Sequence, residues 1–170
     1  MERDDDQPLP PRTRGGDAAQ RRHLGRMLAL QVLYEVDLTG HDPEEAIARA
    51  ILEHEPVPAG VDAHLRSLVG GVLAHRDDLD PLLAAAAPAR SLAEQAAIER
   101  NVLRLASYEL LHAPHVPPKV AINEAVELAK RFGGEHSGRL INGVLRTVAD
   151  QHPRPGWNAV DGTASTGQEG

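Results

Sequence analysis

The sequence has no cysteine, and aromatic residues make up only 2% of its 170 residues. The missing cysteines exclude disulfide bonds, thiolate catalysis and zinc or iron–sulfur sites with cysteine ligands. Because β-sandwiches and β-barrels are rich in aromatic and β-branched side chains, the shortage of aromatics argues against an all-β fold. No apolar run approaches the roughly 18 residues that span a membrane, and the acidic N-terminus is not a signal peptide. These absences predict a cytoplasmic protein with no membrane segment.

The hydrophobic residues that are present, 41% of the chain, indicate helices. They are chiefly Leu, Val, Ile and Ala, and they recur at helical spacing in seven segments. The predicted helices cover about residues 20–38, 42–55, 61–76, 80–88, 91–112, 119–132 and 137–150. Residues 1–19 and 151–170 have no apolar period, which predicts disordered tails. We expect an all-α domain over residues 20–150, with a break near Asp77–Pro81 between two helical halves.

No catalytic or metal-binding pattern stands out. The nine histidines include no pair four residues apart, the spacing that lets two imidazoles of one helix share a metal ion. No glycine-rich loop follows a strand, so nucleotide binding of the Rossmann or P-loop kind has no support. Glu124 and Glu127 lie three residues apart, but Lys130 and Arg131 follow one turn later and favour a solvated, ion-paired helix face. We therefore predict a protein that is not an enzyme and holds neither metal nor cofactor.

The most distinctive feature is the basic start of the first predicted helix, Gln20–Arg26. The formal net charge of -7 does not exclude such a local patch. Arg22 and Arg26 are four residues apart and project from one side of a helix, and the guanidinium fork suits phosphate. Cations at a helix N-terminus are unfavourable unless an anion compensates them. Two interpretations are open here: the acidic N-terminal tail supplies that anion, or an RNA or phosphate ligand does.

Four stretches of the chain carry a family resemblance. They are Arg22–Tyr34, Val102–Leu110, Val116–Lys130 and Ile141–Leu145. In this order they resemble the NusB family of bacterial transcription antitermination factors over about residues 21–150, and Val116–Lys130 is the most specific stretch. The resemblance implies an all-helical fold of two small bundles. It also implies a non-catalytic role: binding of boxA RNA together with the ribosomal protein NusE, within an antitermination complex on RNA polymerase. Some members form a homodimer that hides the RNA face.

The resemblance also assigns residues to the two binding surfaces. The implied RNA-binding residues are Arg21, Arg22, His23, Arg26, Lys119, His136, Ser137, Arg139 and Leu140. The implied NusE-binding residues are Tyr34 and Glu99. The chain departs from the family pattern at three places: His23 and Leu24 replace basic residues, Leu140 replaces a frequent Phe, and His136 replaces a frequent acidic residue. Without the Phe, a stacking surface worth about 1–3 kcal/mol per base is lost, so we expect strong RNA binding to require NusE.

Two other functions stay open at this stage. A NusB-like domain also precedes certain ribosomal RNA cytosine methyltransferases, but no methyltransferase domain follows residue 150 and there is no cysteine nucleophile. The second alternative is a helical adaptor that binds only proteins and whose basic residues are structural. RNA binding, measured with and without NusE, distinguishes these functions.

Overall fold

The structure, a computed structural model, describes residues 14–155 and is all-helical over that range. Its α-helices are α1 (Arg14–Thr39), α2 (Pro43–Glu53), α3 (Val61–Ala86), α4 (Ala97–His112), α5 (Pro118–Phe132) and α6 (Ser137–Gln151). A short 3₁₀ turn, Leu92–Glu94, precedes α4. The predicted all-α fold class is confirmed, with six helices over the described range in place of about seven. None of these helices is long and apolar enough to cross a membrane.

The predicted third and fourth helices are one continuous helix, α3. Pro81 lies inside it. Because proline lacks an N–H and disfavours helix at the preceding residue, the sequence suggested a break near Asp77–Pro81. Leu79 and Leu83 are both fully buried, however, so packing on either side of Pro81 holds the helix together. The predicted boundary between two halves at this point is wrong, and the chain leaves α3 only after Ala86.

The described structure extends beyond the predicted domain at both ends. α1 begins at Arg14 rather than about Gln20, so residues 14–19 of the predicted tail are helical. After α6, the Arg154 guanidinium donates hydrogen bonds to the carbonyl oxygens of Ala113 (3.0 Å) and Val116 (2.7 Å). These bonds fix the chain after α6 against the connector between α4 and α5. The remaining residues of the predicted tails, 1–13 and 156–170, lie outside the described residues.

Helix α4 is at the centre of the molecule. Every residue from Asn101 to Ser107 is buried. Helices α1, α2 and α3 pack on one another, α5 and α6 pack on each other and on α4, and α4 also contacts α1 and α3. A single apolar core of Leu, Val, Ile and Ala runs through both groups. Each fully buried Leu, Val or Ile contributes about 1.5–3 kcal/mol, so this core is the main stabilising term.

Helices α1 and α3 run side by side in the same direction. The His64 imidazole, in the first turn of α3, lies against Gly25 near the middle of α1, and Arg76 lies 3.5 Å from Asp37 further along both helices. From His64 to Ala86, α3 rises about 33 Å at about 1.5 Å per residue. The loop that carries Arg90 is therefore at the opposite end of the molecule from the start of α1.

A charged cluster ties α1 and α3 to α4. Asp37 of α1 accepts hydrogen bonds from Arg100 (2.8 Å) and Asn101 (3.0 Å) of α4. Arg104 of α4 donates to both carboxylate oxygens of Asp80 on α3, at 2.8 and 2.9 Å. Burial alone would raise the pKa of Asp37, but the hydrogen bonds from Arg100 and Asn101 and the nearby arginine charges outweigh it and hold the pKa below its usual range.

Candidate functional site

Three exposed cations lie in the first half of α1 and in the first turn of α5. They are Arg21 and Arg22 in α1 and Lys119 in α5. Within residues 14–155 none of the three forms an ion pair. His23 connects the two helices, because its Nδ1 lies 2.7 Å from Oε2 of Glu124 on α5. This contact joins the first half of α1, which carries Arg21 and Arg22, to the half of α5 that begins next to Lys119.

Arg26 is not part of this surface. Its side chain is only 3% exposed, and its Nε and Nη2 each donate to a carboxylate oxygen of Glu109 at 2.8 Å. Glu109 is itself 2% exposed, and Oε2 of Glu124 lies 3.8 Å from Arg26 Nη1. The prediction that Arg26 binds RNA is wrong, because its donors are already used by a buried carboxylate. The four-residue spacing alone did not reveal that Arg26 faces the core.

Glu124 places a partly exposed carboxylate between the cations. The sequence suggested that Glu124 and Glu127 pair with Lys130 and Arg131. In the structure only Glu127 does so, with its Oε1 3.8 Å from Lys130 Nζ. Glu124 is held instead by His23 and by the buried Arg26. Because the Arg26 charge is already paired with Glu109, Glu124 keeps much of its negative charge beside His23.

The turn between α5 and α6 contains the remaining predicted RNA residues. His136 and Arg139 are exposed, and Leu140 packs partly against the core. Ser137 is buried: its hydroxyl donates to Oε1 of Glu99 at 2.7 Å and accepts from the Gly134 N–H at 2.9 Å. The prediction of Ser137 as an RNA contact is wrong, since both the burial and the hydrogen bonds assign it to the fold of the turn.

The predicted RNA residues fall into two groups along α5. Gly138 faces the Lys130 side chain, which places the turn at the C-terminal end of α5. Lys119 is at the other end, about 16 Å from Lys130 along the helix axis. One group therefore comprises Arg21, Arg22, His23 and Lys119, and the other comprises His136, Arg139 and Leu140. We call the first group the cationic end.

An apolar groove of about 380 Å³ lies further along α1. It is lined by Met27, Leu30, Gln31, Tyr34, His54, Ile98, Arg131 and Phe132. Tyr34 is 37% exposed and Phe132 42%, and the Arg131 guanidinium carbon lies 5.2 Å from the centre of the Phe132 ring. Of the two predicted partner residues, Tyr34 lines this groove, whereas the Glu99 carboxylate accepts a hydrogen bond from Ser137 and is not among the lining residues.

The sequence alone does not predict Phe132, Arg131 or Ile98 as members of this groove. The apolar and charge pattern indicates Phe132 only as the end of a helix and Arg131 only as a partner for nearby glutamates. The sequence does indicate that the Phe132 ring is exposed. A phenylalanine at the last helical position, just before two glycines, has few neighbouring side chains that could cover it. The place of Ile98 in the groove is not predictable from its neighbours in the sequence, because α4 meets α5 only in the folded chain.

Comparisons with known proteins agree on one family. A family model described as the NusB family matches residues 23–150. The transcription antitermination protein NusB of Dehalococcoides mccartyi strain CBDB1 is 46% identical over 128 residues, which is 75% of this chain and 89% of that protein. The NusB protein of Roseiflexus castenholzii is 40% identical over 136 residues, or 79% of this chain and 95% of that protein.

Solved structures give the same result. NusB of T. maritima superposes with a TM-score of 0.72 at 30% identity, covering 79% of this chain and 93% of that one. A crystal structure of the antitermination factors NusB and NusE in complex with double-stranded RNA gives 0.73 at 26% identity, covering 78% and 98%. The relatives are transcription antitermination proteins and not enzymes. By sequence and by fold, this chain belongs to the NusB family.

Proposed function

We propose that the chain is a transcription antitermination factor of the cytoplasm. It binds a boxA-type sequence of a ribosomal RNA leader together with the ribosomal protein NusE, and this complex promotes antitermination by RNA polymerase. The observation that carries the proposal is the arrangement along α1: Arg21 and Arg22 are exposed at one end, and the groove at Tyr34 opens further along. A protein that holds an RNA and a protein partner together needs two separate surfaces of these kinds.

The cationic end suits the phosphate backbone of RNA. Guanidinium groups bind phosphate oxygens through two parallel hydrogen bonds, and Lys119 adds a point charge. Phosphate contacts position an RNA, but sequence is read from splayed bases, which usually stack on aromatic rings. Leu140 offers no ring for stacking. RNA affinity of the chain alone therefore depends mainly on charge, falls steeply with salt and becomes strong only when NusE adds contacts.

The groove at Tyr34 suits a protein partner. Tyrosine, tryptophan and arginine dominate the energetics of protein interfaces, and Tyr34 and Arg131 supply two of these types beside the exposed ring of Phe132. A similar fold occurs in a crystal that contains NusB, NusE and double-stranded RNA. The presence of NusE and RNA in that complex supports NusE and RNA as the two partners proposed for this chain.

RNA binding tests the first surface. We expect the double substitution R21A/R22A to weaken binding of a labelled single-stranded boxA RNA at least about tenfold at low salt, measured by fluorescence anisotropy. The slope of log affinity against log salt should fall by about 1.4, because each single-strand phosphate contact contributes about 0.7. R90A is the matched control, since Arg90 is exposed and lies at the opposite end of the molecule. Unchanged binding in the double variant would reject the cationic end as the RNA site.

NusE binding tests the second surface. We expect Y34A to weaken the complex with NusE about tenfold by calorimetry, because truncation removes an aromatic anchor, while affinity for RNA alone is unchanged. L52A is the control, since Leu52 is an exposed apolar residue on α2 outside the groove. Glu99→Lys is a less specific test, because it also breaks the hydrogen bond from Ser137. Normal NusE binding by Y34A would contradict the proposed interface.

The assembly of the free chain is a separate question. The family resemblance includes members that form a homodimer in which the RNA face is covered. Sedimentation velocity over a range of protein concentrations separates a monomer from such a dimer. Dimerisation in competition with RNA would lower the apparent RNA affinity as the protein concentration rises.

A further inference from the structure

A pocket beside the cationic end has no role in the surfaces described so far. It has a volume of about 530 Å³ and lies between the first turns of α1 and the N-terminal end of α3. Its lining residues are Ala18, Arg21, Arg22, Ala59, Gly60 and His64. Two of these are cations of the cationic end, but His64 and the residues before α3 belong to a part of the chain that no RNA prediction included.

His64 is held in the pocket by a close contact with α1. Its Nδ1 is buried with no hydrogen-bond partner, and it faces Gly25 so closely that a Cβ at position 25 would lie 2.5 Å away. Only a glycine lets the imidazole approach the α1 backbone in this way. With Nδ1 enclosed, Nε2 is the nitrogen that can meet a ligand in the pocket.

The charges around His64 favour an anion. Burial lowers the pKa of His64, the charges of Arg26, Arg22 and His115 lower it further, and Glu109 opposes them. The imidazole is therefore neutral near pH 7 and serves as a hydrogen-bond donor in a positive field.

Acidic groups close to the pocket weaken that field without pairing with its two arginines in the described part of the chain. Asp62 is only partly compensated by Arg66, whose Nε donates to Oδ1 at 2.7 Å and whose Nη1 also bonds Glu44. Asp17 precedes Arg21 by one helical turn but forms no ion pair with it within the described residues. Among residues 14–155, therefore, no carboxylate pairs with the two arginines that line the pocket.

The start of α3 adds a further favourable element. No side chain caps this helix, and Gly60 adopts the left-handed conformation with φ of 88° at the position before it. The unpaired N–H groups of a first helical turn carry partial positive charge, which favours an anion when other groups already hold it nearby.

We propose that this pocket binds a phosphate group of the RNA backbone, held by Arg21, Arg22 and His64. The RNA path then crosses α1 and reaches the N-terminal end of α3 as well as α5. The inference rests on the proposed function, because Arg21 and Arg22 belong to both sites. Free inorganic phosphate offers the same chemistry, so the experiment separates the two sources.

Substitutions at Ala59 and at His64 test the pocket and leave Arg21 and Arg22 unchanged. Ala59→Glu places a carboxylate at its rim, and Ala84→Glu adds the same charge to an exposed position near the far end of α3 as the control. We expect A59E to weaken boxA RNA binding about tenfold and A84E to leave it unchanged. His64→Leu should weaken binding about threefold to tenfold, and His64→Gln, which keeps an N–H donor, should recover most of the loss. Thermal unfolding and NusE binding confirm that each variant is folded.

The outcomes separate the possibilities. If R21A/R22A weakens RNA binding while A59E and H64L do not, the pocket proposal is overturned and the proposed function stands. If none of these variants changes RNA binding, both fail. The second arm of the experiment is a titration with inorganic phosphate in which the amide NMR shifts of Gly60 and His64 are recorded. Shifts with phosphate together with normal RNA binding by H64L and A59E would assign the pocket to the free ion and overturn the RNA path.

Discussion

Arg22 and Arg26 are one helical turn apart on α1, yet they lie in different environments. Arg22 is exposed and lines an open pocket, whereas Arg26 is enclosed and bound by both oxygens of Glu109. The same residue type therefore lies at the surface at one position and in the core one turn later. The difference teaches that the cations proposed for RNA binding should be those to which the fold, within residues 14–155, gives no carboxylate partner.

The two environments also differ in energy. A buried ion pair loses solvation on both sides, so it contributes little net stability while complete but is costly to break. The exposed Arg21 and Arg22 lie about two turns inside α1, beyond its N-terminal turn, so they keep their hydration and cost the fold little. We call the buried Arg26–Glu109 ion pair the inner pair, and Arg21 and Arg22 the outer cations. Substitutions at the inner pair should therefore change folding, and substitutions at the outer cations should change RNA binding.

The largest expected effect is at the inner pair. We expect Glu109→Gln to lower the free energy of unfolding by about 3–5 kcal/mol, because the Arg26 charge stays buried without its partner. Urea denaturation followed by circular dichroism measures this. A loss below about 1 kcal/mol would show that the pair is not buried as described.

A smaller effect with a pH signature is expected at Asp37. Asp37→Asn should lower stability by about 3 kcal/mol at neutral pH, because Arg100 and Arg104 lose a buried carboxylate. The pKa of Asp37 is held below its usual range in the folded state. Its stabilising contribution is therefore present above the unfolded pKa of about 3.9 and is lost as pH falls through the lower folded pKa. The deficit of D37N should shrink in acid, and a deficit that stays constant would contradict this assignment.

The smallest effect should come from removing the inner pair as a whole. We expect R26M/E109L to unfold within about 1–2 kcal/mol of the unsubstituted chain, because well-packed apolar residues can replace a buried pair. Its affinity for boxA RNA should be unchanged if Arg26 has no RNA role. Equilibrium denaturation and anisotropy on the same sample check both statements.

The fold was largely predictable from the sequence because apolar spacing reports helices directly. The start of α2 is an example: Asp42 accepts a hydrogen bond from the Glu45 N–H, and Pro43 occupies the first position. The continuity of α3 across Pro81 was not predictable, because it depends on burial of Leu79 and Leu83 by other helices. Local proline rules do not include that packing.

The candidate site was predictable only in part. The charge pattern indicated the cationic stretch of α1, and the family resemblance indicated the residues of the two binding surfaces. The partner roles of Tyr34 and Glu99 and the RNA roles of Arg21, Arg22, His23, Lys119, His136, Arg139 and Leu140 stay predictions. The burial of Arg26 and Ser137 depends on Glu109 and Glu99, which are distant in sequence. The pocket at His64 likewise exists only because α3 packs on Gly25 of α1.

The most direct measurement compares boxA RNA affinity of two double variants, R21A/R22A and R26M/E109L, at the same salt concentration with NusE present. The first removes two outer cations, and the second removes an inner cation with its partner. We predict a loss of at least about tenfold for R21A/R22A and unchanged affinity for R26M/E109L. Normal binding by R21A/R22A, or an equal loss in a folded R26M/E109L, would contradict the assignment of RNA binding to the exposed cations.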